Sequence, residues 1–390
     1  MSISQSKTFC SSPWSCVNIN QTGAVMPCMH SGYELGNINH KTIQEILADK
    51  PLQELKATIA RGEWHSACSW CKSLEENGRT SGRTQRRMPK EILDQIDSDI
   101  NWFTVNDIVI NWSNLCNLTC VYCNSETSTA WQAVEKIPIQ LVKNNHPDLI
   151  ALAKTHGKNI KGLSLGGGEP LLQKGLVEFL KQLDPDNTSV MVTTNLSVDI
   201  LTNPVYQELK TWKHVDWMIS FDNADRDKFE YVRYGASWDQ FVANIKQMKR
   251  DNQHVIAHPA YSIYCAFDLN QYYEFCVNND LDIFWCELNH PRPLDARRLS
   301  TELRQQAIEE IKQIVKKYHD KENLSTNTLN GYINSLTDNS GLLRSDSRLL
   351  KLESDPTTLE WHLSIEKKLK HTNTFEQLWP WLASKLKEES

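Results

Sequence analysis

No run of 18 apolar residues occurs anywhere in the 390 residues, so no segment reads as a membrane-spanning helix. The start, MSISQSKTFC, has no apolar stretch of the export type, and the expected location is the cytoplasm. Positive charge is not in excess: 42 Lys and Arg stand against 48 Asp and Glu, a net charge of −6. That balance gives no global drive toward nucleic acid or an anionic membrane surface. Internal repeats and low-complexity segments are also missing. The chain is not short of core material, since 40% of its residues are hydrophobic and 23% charged, which excludes a wholly disordered chain.

Cysteine is abundant. There are eleven, an odd number, in a chain too long to need disulfide staples. In a reducing compartment, clustered thiols of this kind point to metal rather than to disulfides. They fall into three sets: Cys10, Cys16, Cys28, Cys68 and Cys71; Cys116, Cys120 and Cys123; and the scattered Cys265, Cys276 and Cys286.

The central set lies in NWSNLCNLTCVYCNSE, with spacing C-x3-C-x2-C. Three thiolates leave one corner of a tetrahedral zinc unfilled, so zinc would need a ligand from elsewhere. Three thiolates also suit a cubane iron–sulfur cluster whose fourth iron stays open for a ligand. Just before the triad, residues 107–112 (DIVINW) read as a short β-branched strand, which places the cysteines on a loop at its C-terminal end. About 40 residues later KGLSLGGGEPLL runs from a strand pattern into Gly166, Gly167, Gly168, Glu169 and Pro170. Successive glycines allow close approach to the backbone, and Glu169 can accept hydrogen bonds from an ammonium group.

The triad, with the aromatic Tyr122 before its last cysteine, followed by Gly-Gly-Glu-Pro at 167–170, resembles the radical S-adenosylmethionine (SAM) enzymes over residues 105–300. The resemblance implies that Cys116, Cys120 and Cys123 hold a four-iron four-sulfur cluster. The open iron of that cluster binds SAM, and one electron cleaves SAM to methionine and a 5′-deoxyadenosyl radical. It places Tyr122 near the adenine and Gly167, Gly168 and Glu169 at the SAM amino group. It offers Asn195, Ser220 and Arg233 as further SAM contacts, Arg233 ahead of the other two; the plainer readings are a loop cap for Asn195 and a surface ion pair for Arg233. It also implies an external electron donor of flavodoxin or ferredoxin type.

Strand and helix patterns alternate after the first strand. Strands are expected around 163–165, 189–194, 215–221, 255–265 and 281–288, and helices over 171–183, 238–248 and 269–277. Six strands with intervening helices predict an α/β fold, a partial (β/α)6 TIM-like barrel, with sites gathered at the C-terminal strand ends.

At the N-terminus a hairpin is expected from residues 17–20 and 24–26 around Gly23, and a helix follows with apolar residues at 43, 46, 47, 52, 55 and 59. The hairpin and helix can bring Cys10 and Cys28 toward Cys68-x2-Cys71, a set open to either zinc or iron–sulfur on its own. The pattern C-x2-P-W, G-x3-P-C, G-x-I and C-x2-C is similar to the half-size twitch form of the SPASM extension. That likeness implies one auxiliary four-iron four-sulfur cluster on Cys10, Cys28, Cys68 and Cys71, with Cys16 left out. Such regions usually follow the barrel; here the region precedes it.

The expected domains are 1–90 for the auxiliary-cluster module and its linker, 91–300 for the barrel, and 301–390 for a helical C-terminal extension. The polar, arginine-containing stretch 75–87 reads as the linker, residues 301–318 as an amphipathic helix, and Phe375, Leu378, Trp379, Trp381 and Leu382 as an aromatic cap. Cys265, Cys276 and Cys286 read as buried small hydrophobes, Cys286 being the best placed should one of them donate a hydrogen atom. The expected function is radical SAM chemistry on a ribosomally made peptide, which the resemblance favours. The alternatives are small-molecule dehydrogenation or rearrangement, RNA modification, and a non-catalytic metal-binding or electron-transfer module.

Overall fold

The computed structural model describes residues 2–76, 80–86, 88–141, 146–337 and 356–388. The chain divides into two compact units. The first comprises Met1–Cys116, Gln140–Thr193 and Leu201–Val215, and the second Asn117–Ile139, Thr194–Ile200 and Asp216–Ser390.

In the first unit β1 (Cys16–Ile19) and β2 (Ala24–Met26) form the expected antiparallel hairpin, with Gly23 at φ +84° making the left-handed turn. A short β3 (Gly36–Asn37) adds to β2. The hairpin does not end there. β1 pairs in parallel with β4 (Asp107–Asn111), Cys16 opposite Asp107 and Ile19 opposite Ile110. β4 pairs in parallel with β5 (Gly162–Gly166), and β5 with β6 (Ser189–Thr194). The physical reason is the strand alternation: Ile108, Ile110, Leu163, Leu165, Val190 and Val192 are all buried on this sheet, and Val17 and Ile19 extend the same apolar layer.

In the second unit β7 (Val215–Ile219) pairs in parallel with β8 (His254–Ala257), and a two-residue β10 (Asp282–Ile283) pairs with β8. β9 (Ala260–Tyr261) and β11 (Cys286–Glu287) form a separate parallel pair. The two strands expected over 255–265 and 281–288 are thus each split. Pro259 separates β8 from β9 because it has no N–H for the ladder, and residues 262–267 turn rather than extend. The molecule is a mixed α/β protein: β1, β2 and β3 form an antiparallel set, and the pairs described from β1 to β4 onward are parallel.

The helix expected over 171–183 is shorter, Leu176–Leu180, because Pro170–Leu172 forms a 3-10 turn and Gly175 sits at φ +84° before the helix starts. Helices Trp238–Arg250 and Thr301–Tyr318 begin at Ser237 and Ser300, whose side chains cap the first turn. The second buries Leu303, Ala307, Ile308, Ile311 and Ile314, the stripe its periodicity predicts. Of the aromatic cap, Phe375, Trp379 and Leu382 are buried and Trp381 is exposed. Residues 77–79 and 87 of the linker stretch and 338–355 of the C-terminal extension lie outside the described residues. Among the described residues no helix is long and apolar enough to cross a membrane.

Candidate active site

Cys116 follows β4 by five residues and closes the first unit's segment. The loop that leads to it is pinned by the glycine motif. Gly168 N–H donates to the Ser113 carbonyl and Glu169 N–H to the Leu115 carbonyl, both at 2.8 Å. A methyl group on Gly168 would stand 2.2 Å from the Leu115 carbonyl oxygen, and one on Gly167 (φ +113°) 2.7 Å from that of Ser113. Two glycines are required here because another backbone strand lies on them. The sequence reading assigned the same need to a bound ligand. Gln173 completes the lock: its amide donates to the Leu115 and Glu169 carbonyls, and its oxygen accepts from the Ser113 hydroxyl. Glu169 is fully buried, and one carboxylate oxygen accepts from Leu171 N–H at 3.0 Å.

Cys120, Tyr122 and Cys123 belong to the second unit. Their loop runs beside residues 232–234, with Thr119 N–H donating to the Tyr234 carbonyl (3.0 Å) and Val121 N–H to that of Val232 (2.9 Å). Trp131, from the helix Thr129–Val134, donates its indole N–H to the Cys120 carbonyl at 3.0 Å, and Ser128 donates its hydroxyl to that of Leu118. Cys123 Sγ lies 2.9 Å from the Thr127 hydroxyl. Cys120 is buried, while Cys116 and Cys123 are half-buried. These contacts fix the loop backbone before any metal arrives, which is what a preformed thiolate site needs.

A buried charge network stands beside the loop. Asp222, with a fully buried side chain, accepts from the Tyr122 hydroxyl (2.9 Å), from Arg233 Nε (3.1 Å) and Nη2 (2.9 Å), and from the Ala260 N–H (3.0 Å). The guanidinium also lies 5.4 Å from the centre of the Tyr122 ring. Burial opposes the Arg233 charge, yet the Asp222 carboxylate outweighs burial and raises its pKa. Burial first, then Asp222, push the Tyr122 hydroxyl far above the ordinary phenol, so it stays a donor. Arg233 is therefore an internal ion-pair partner of the Asp222 carboxylate in this structure.

Asn195 donates to the Asn117 side chain at 3.3 Å and accepts from the Ser197 backbone and hydroxyl. Ser220 is half-buried, and its N–H donates to the Thr194 carbonyl. Cys265 and Cys276 are fully buried. Cys286, on β11, is half-buried, and its thiol is pushed up to about 11, first by burial and then by Asp222. Its thiol donates to the Pro259 carbonyl at 3.5 Å.

In the first unit a cavity is lined by Cys10, Cys28, Cys68 and Cys71, with His30 and Arg83 also at its wall. All four thiols of the expected auxiliary set come together there. Cys16 sits instead in β1, buried and pushed up to about 12 chiefly by burial. Burial also pushes Cys28 up to about 11 and Cys68 up to about 12, with the neighbouring thiols adding to it, so metal must displace protons here. Thiolates on one zinc ion stand about 3.8 Å apart, two 2.3 Å bonds at a tetrahedral angle. Among the described residues no three His, Cys, Asp or Glu side chains are grouped for a single ion. A cavity lined by four thiols offers the donor set that a zinc ion or a four-iron cluster takes. Arg83 and Thr127 were not singled out by the sequence reading. Arg83 fell in the presumed linker, and Thr127 carried no signal beyond lying four residues after a cysteine.

Comparison with known proteins agrees with both halves. Residues 110–260 match the radical SAM superfamily, and residues 10–72 match the SPASM iron–sulfur cluster-binding domain. The chain is 26% identical over 195 residues to GTP 3′,8-cyclase of Peptoclostridium acidaminophilum, covering 47% of this chain and 55% of that protein. It is 37% identical over 128 residues to 7-carboxy-7-deazaguanine synthase of Clostridium acetobutylicum, covering 33% and 48%. The chain thus spans about half the length of these relatives. Among solved structures, SuiB of Streptococcus suis bound to its precursor peptide SuiA is similar with a TM-score of 0.45 and 14% identity, covering 70% of this chain and 64% of that one. With the cysteine loop and its glycine lock inside the first match and the four-thiol cavity inside the second, the chain carries a radical SAM domain over residues 110–260 and an iron–sulfur cluster-binding domain on its N-terminal side.

Proposed function

We propose that Cys116, Cys120 and Cys123 hold a four-iron four-sulfur cluster which, with SAM, supplies reductive cleavage to a 5′-deoxyadenosyl radical and abstraction of a substrate hydrogen. The observation that carries this reading is the C-x3-C-x2-C loop, locked by Gly167–Glu169 on one side of Cys116 and by residues 232–234 beside Cys120. The chain's own contribution is positional. Backbone hydrogen bonds fix the loop, and Asp222 keeps Arg233 charged next to it without exposing that charge to water. Gly167, Gly168, Glu169, Tyr122, Asn195 and Ser220 are the proposed SAM contacts, and Arg233 contributes through Asp222 and the Tyr122 ring. An external flavodoxin- or ferredoxin-type donor is the proposed source of the electron.

Cys10, Cys28, Cys68 and Cys71 are the proposed ligands of an auxiliary four-iron cluster, with residues 1–90 as its module, 91–300 as the radical SAM barrel and 301–390 as a helical extension. The proposed substrate is a ribosomally made peptide, supported by the kind of cluster-binding extension this chain carries. A second reading, a small molecule of purine type, is favoured by the relatives that act on such compounds by name. Those matches cover about half of each relative.

The test is iron and acid-labile sulfide per chain after anaerobic reconstitution, with 5′-deoxyadenosine measured after SAM and reductant are added. About eight irons per chain are expected for two four-iron clusters. Cys116→Ala should abolish 5′-deoxyadenosine, and Cys68→Ala should keep part of it with about four irons. Zinc in place of iron and no cleavage would overturn the reading. Stimulation of cleavage by a peptide or by a purine nucleotide decides between the two substrate classes.

A further inference from the structure

Arg83 is a cation held at the wall of the thiol cavity. It lines the cavity of Cys10, Cys28, Cys68 and Cys71, and its side chain is 12% exposed. One arm of the guanidinium, Nη1, donates to the Phe9 carbonyl at 2.9 Å, immediately before Cys10. The Nε donates to Glu75 Oε1 at 2.9 Å, and Nη2 pairs with the other oxygen of the same carboxylate. Glu75 lies on the helix Ser69–Glu76, four residues beyond Cys71. The Ser81 hydroxyl holds Glu75 at 2.6 Å, and the guanidinium carbon stands 5.1 Å from the centre of the Trp64 ring. Three of the guanidinium nitrogens are thus held, two by one carboxylate and one by a backbone carbonyl. Glu75 is absent from the cavity lining, whereas Arg83 is part of it. The guanidinium is therefore the member of the ion pair that reaches the thiol cavity.

Four thiolates around an iron–sulfur core give a net negative site, and reduction adds to that charge. The potential of such a cluster follows its net charge, the hydrogen bonds around it and its exposure. A fixed, largely dry cation at the cavity wall favours the reduced form more than the oxidised one, because its attraction is screened little where water is scarce. We propose that Arg83 sets the reduction potential of the N-terminal cluster, holding it above the value the four cysteines alone would give, and that Glu75 limits the effect. This rests on the reading of that cavity as an auxiliary-cluster site. Arg83 is a positioning and charge-tuning residue; it is not a ligand.

The experiment uses the full chain with Cys116, Cys120 and Cys123 all changed to alanine, so that the N-terminal site alone is loaded. Iron is counted after anaerobic reconstitution, and the cluster is titrated potentiometrically with electron paramagnetic resonance as the readout. At the parent's midpoint potential, Arg83→Gln should lower the ratio of reduced to oxidised cluster about tenfold, which for one electron is about 59 mV. Arg83→Lys, which keeps the charge and loses the fork, should stay near the parent. Glu75→Gln should move the midpoint the other way. An Arg83→Gln protein with full iron and an unchanged midpoint overturns the proposal, as does Arg83→Lys falling as far as Arg83→Gln. If Arg83→Gln does not load, Glu75→Gln decides: a midpoint at or below the parent's overturns it. A parent that takes up no iron overturns the auxiliary-cluster reading itself, and the tuning role with it.

Discussion

Asp222→Asn tests the charge network most directly. The exchange preserves shape and removes one charge. Asp222 is fully buried and spends both oxygens on four donors: the Tyr122 hydroxyl, two arms of Arg233 and the Ala260 N–H. Asparagine has one acceptor oxygen and a donor where the second oxygen stood, so at least one of these donors faces another donor. Arg233, only 8% exposed, is then a buried cation without a counter-charge. Breaking a buried pair from one side costs about 3–5 kcal/mol. With a urea slope near the upper end of about 1–3 kcal/mol/M, the midpoint of the transition that unfolds the second unit falls by roughly 1 M or more. The assay is urea denaturation of the metal-free protein, followed by far-ultraviolet circular dichroism. Tyr122→Phe is the control: it removes one hydrogen bond to a charged acceptor, about 1.5–3 kcal/mol, and leaves the ion pair. Asp222→Asn/Arg233→Met should recover part of the loss, since the stranded charge goes with the arginine. A midpoint shift for Asp222→Asn no larger than that of Tyr122→Phe would refute the argument that an uncompensated charge dominates.

Gly168→Ala should destabilise the first unit and impair cluster loading, because its methyl group meets the Leu115 carbonyl at 2.2 Å. Thermal unfolding should show a loss of at least about 1–3 kcal/mol, the ordinary cost of overpacking. Gly32→Ala, with nothing within 4 Å, should be neutral or gain up to about 1 kcal/mol. His254 is bracketed by Asp216 and Asp282, each at 2.7 Å; burial lowers its pKa, but the two carboxylates prevail and raise it. Its contribution is fully present below the unfolded value of about 6.5 and is lost as pH rises through the folded value. Half exposed, each pair is worth no more than about 1 kcal/mol. His254→Gln should therefore be less stable than the parent near pH 6 and match it near pH 9; an equal deficit at both pH values would sink the protonation argument.

Local chemistry was legible in the sequence. Cysteine spacing marked both thiol sets, β-branched runs marked the strands, and the apolar stripe of 301–318 marked its helix, because each depends on neighbours a few residues apart. Contacts between distant residues decided the rest. No local pattern says that β1 continues the sheet at β4, since parallel pairing joins Cys16 to Asp107 across 90 residues of chain. The glycines at 167 and 168 were visible as a turn, but their reason is the 113–115 backbone lying on them. Arg233 was found by its likeness to a motif; only the fold turned it toward Asp222. Arg83 was hidden in a polar stretch and gained its meaning when folding set it at the wall of the four-thiol cavity. Which atoms can bind metal follows from residue identity, because thiolate chemistry belongs to the side chain. Which charges face those thiols was decided by tertiary structure alone, because burial and orientation are properties of the assembled neighbours.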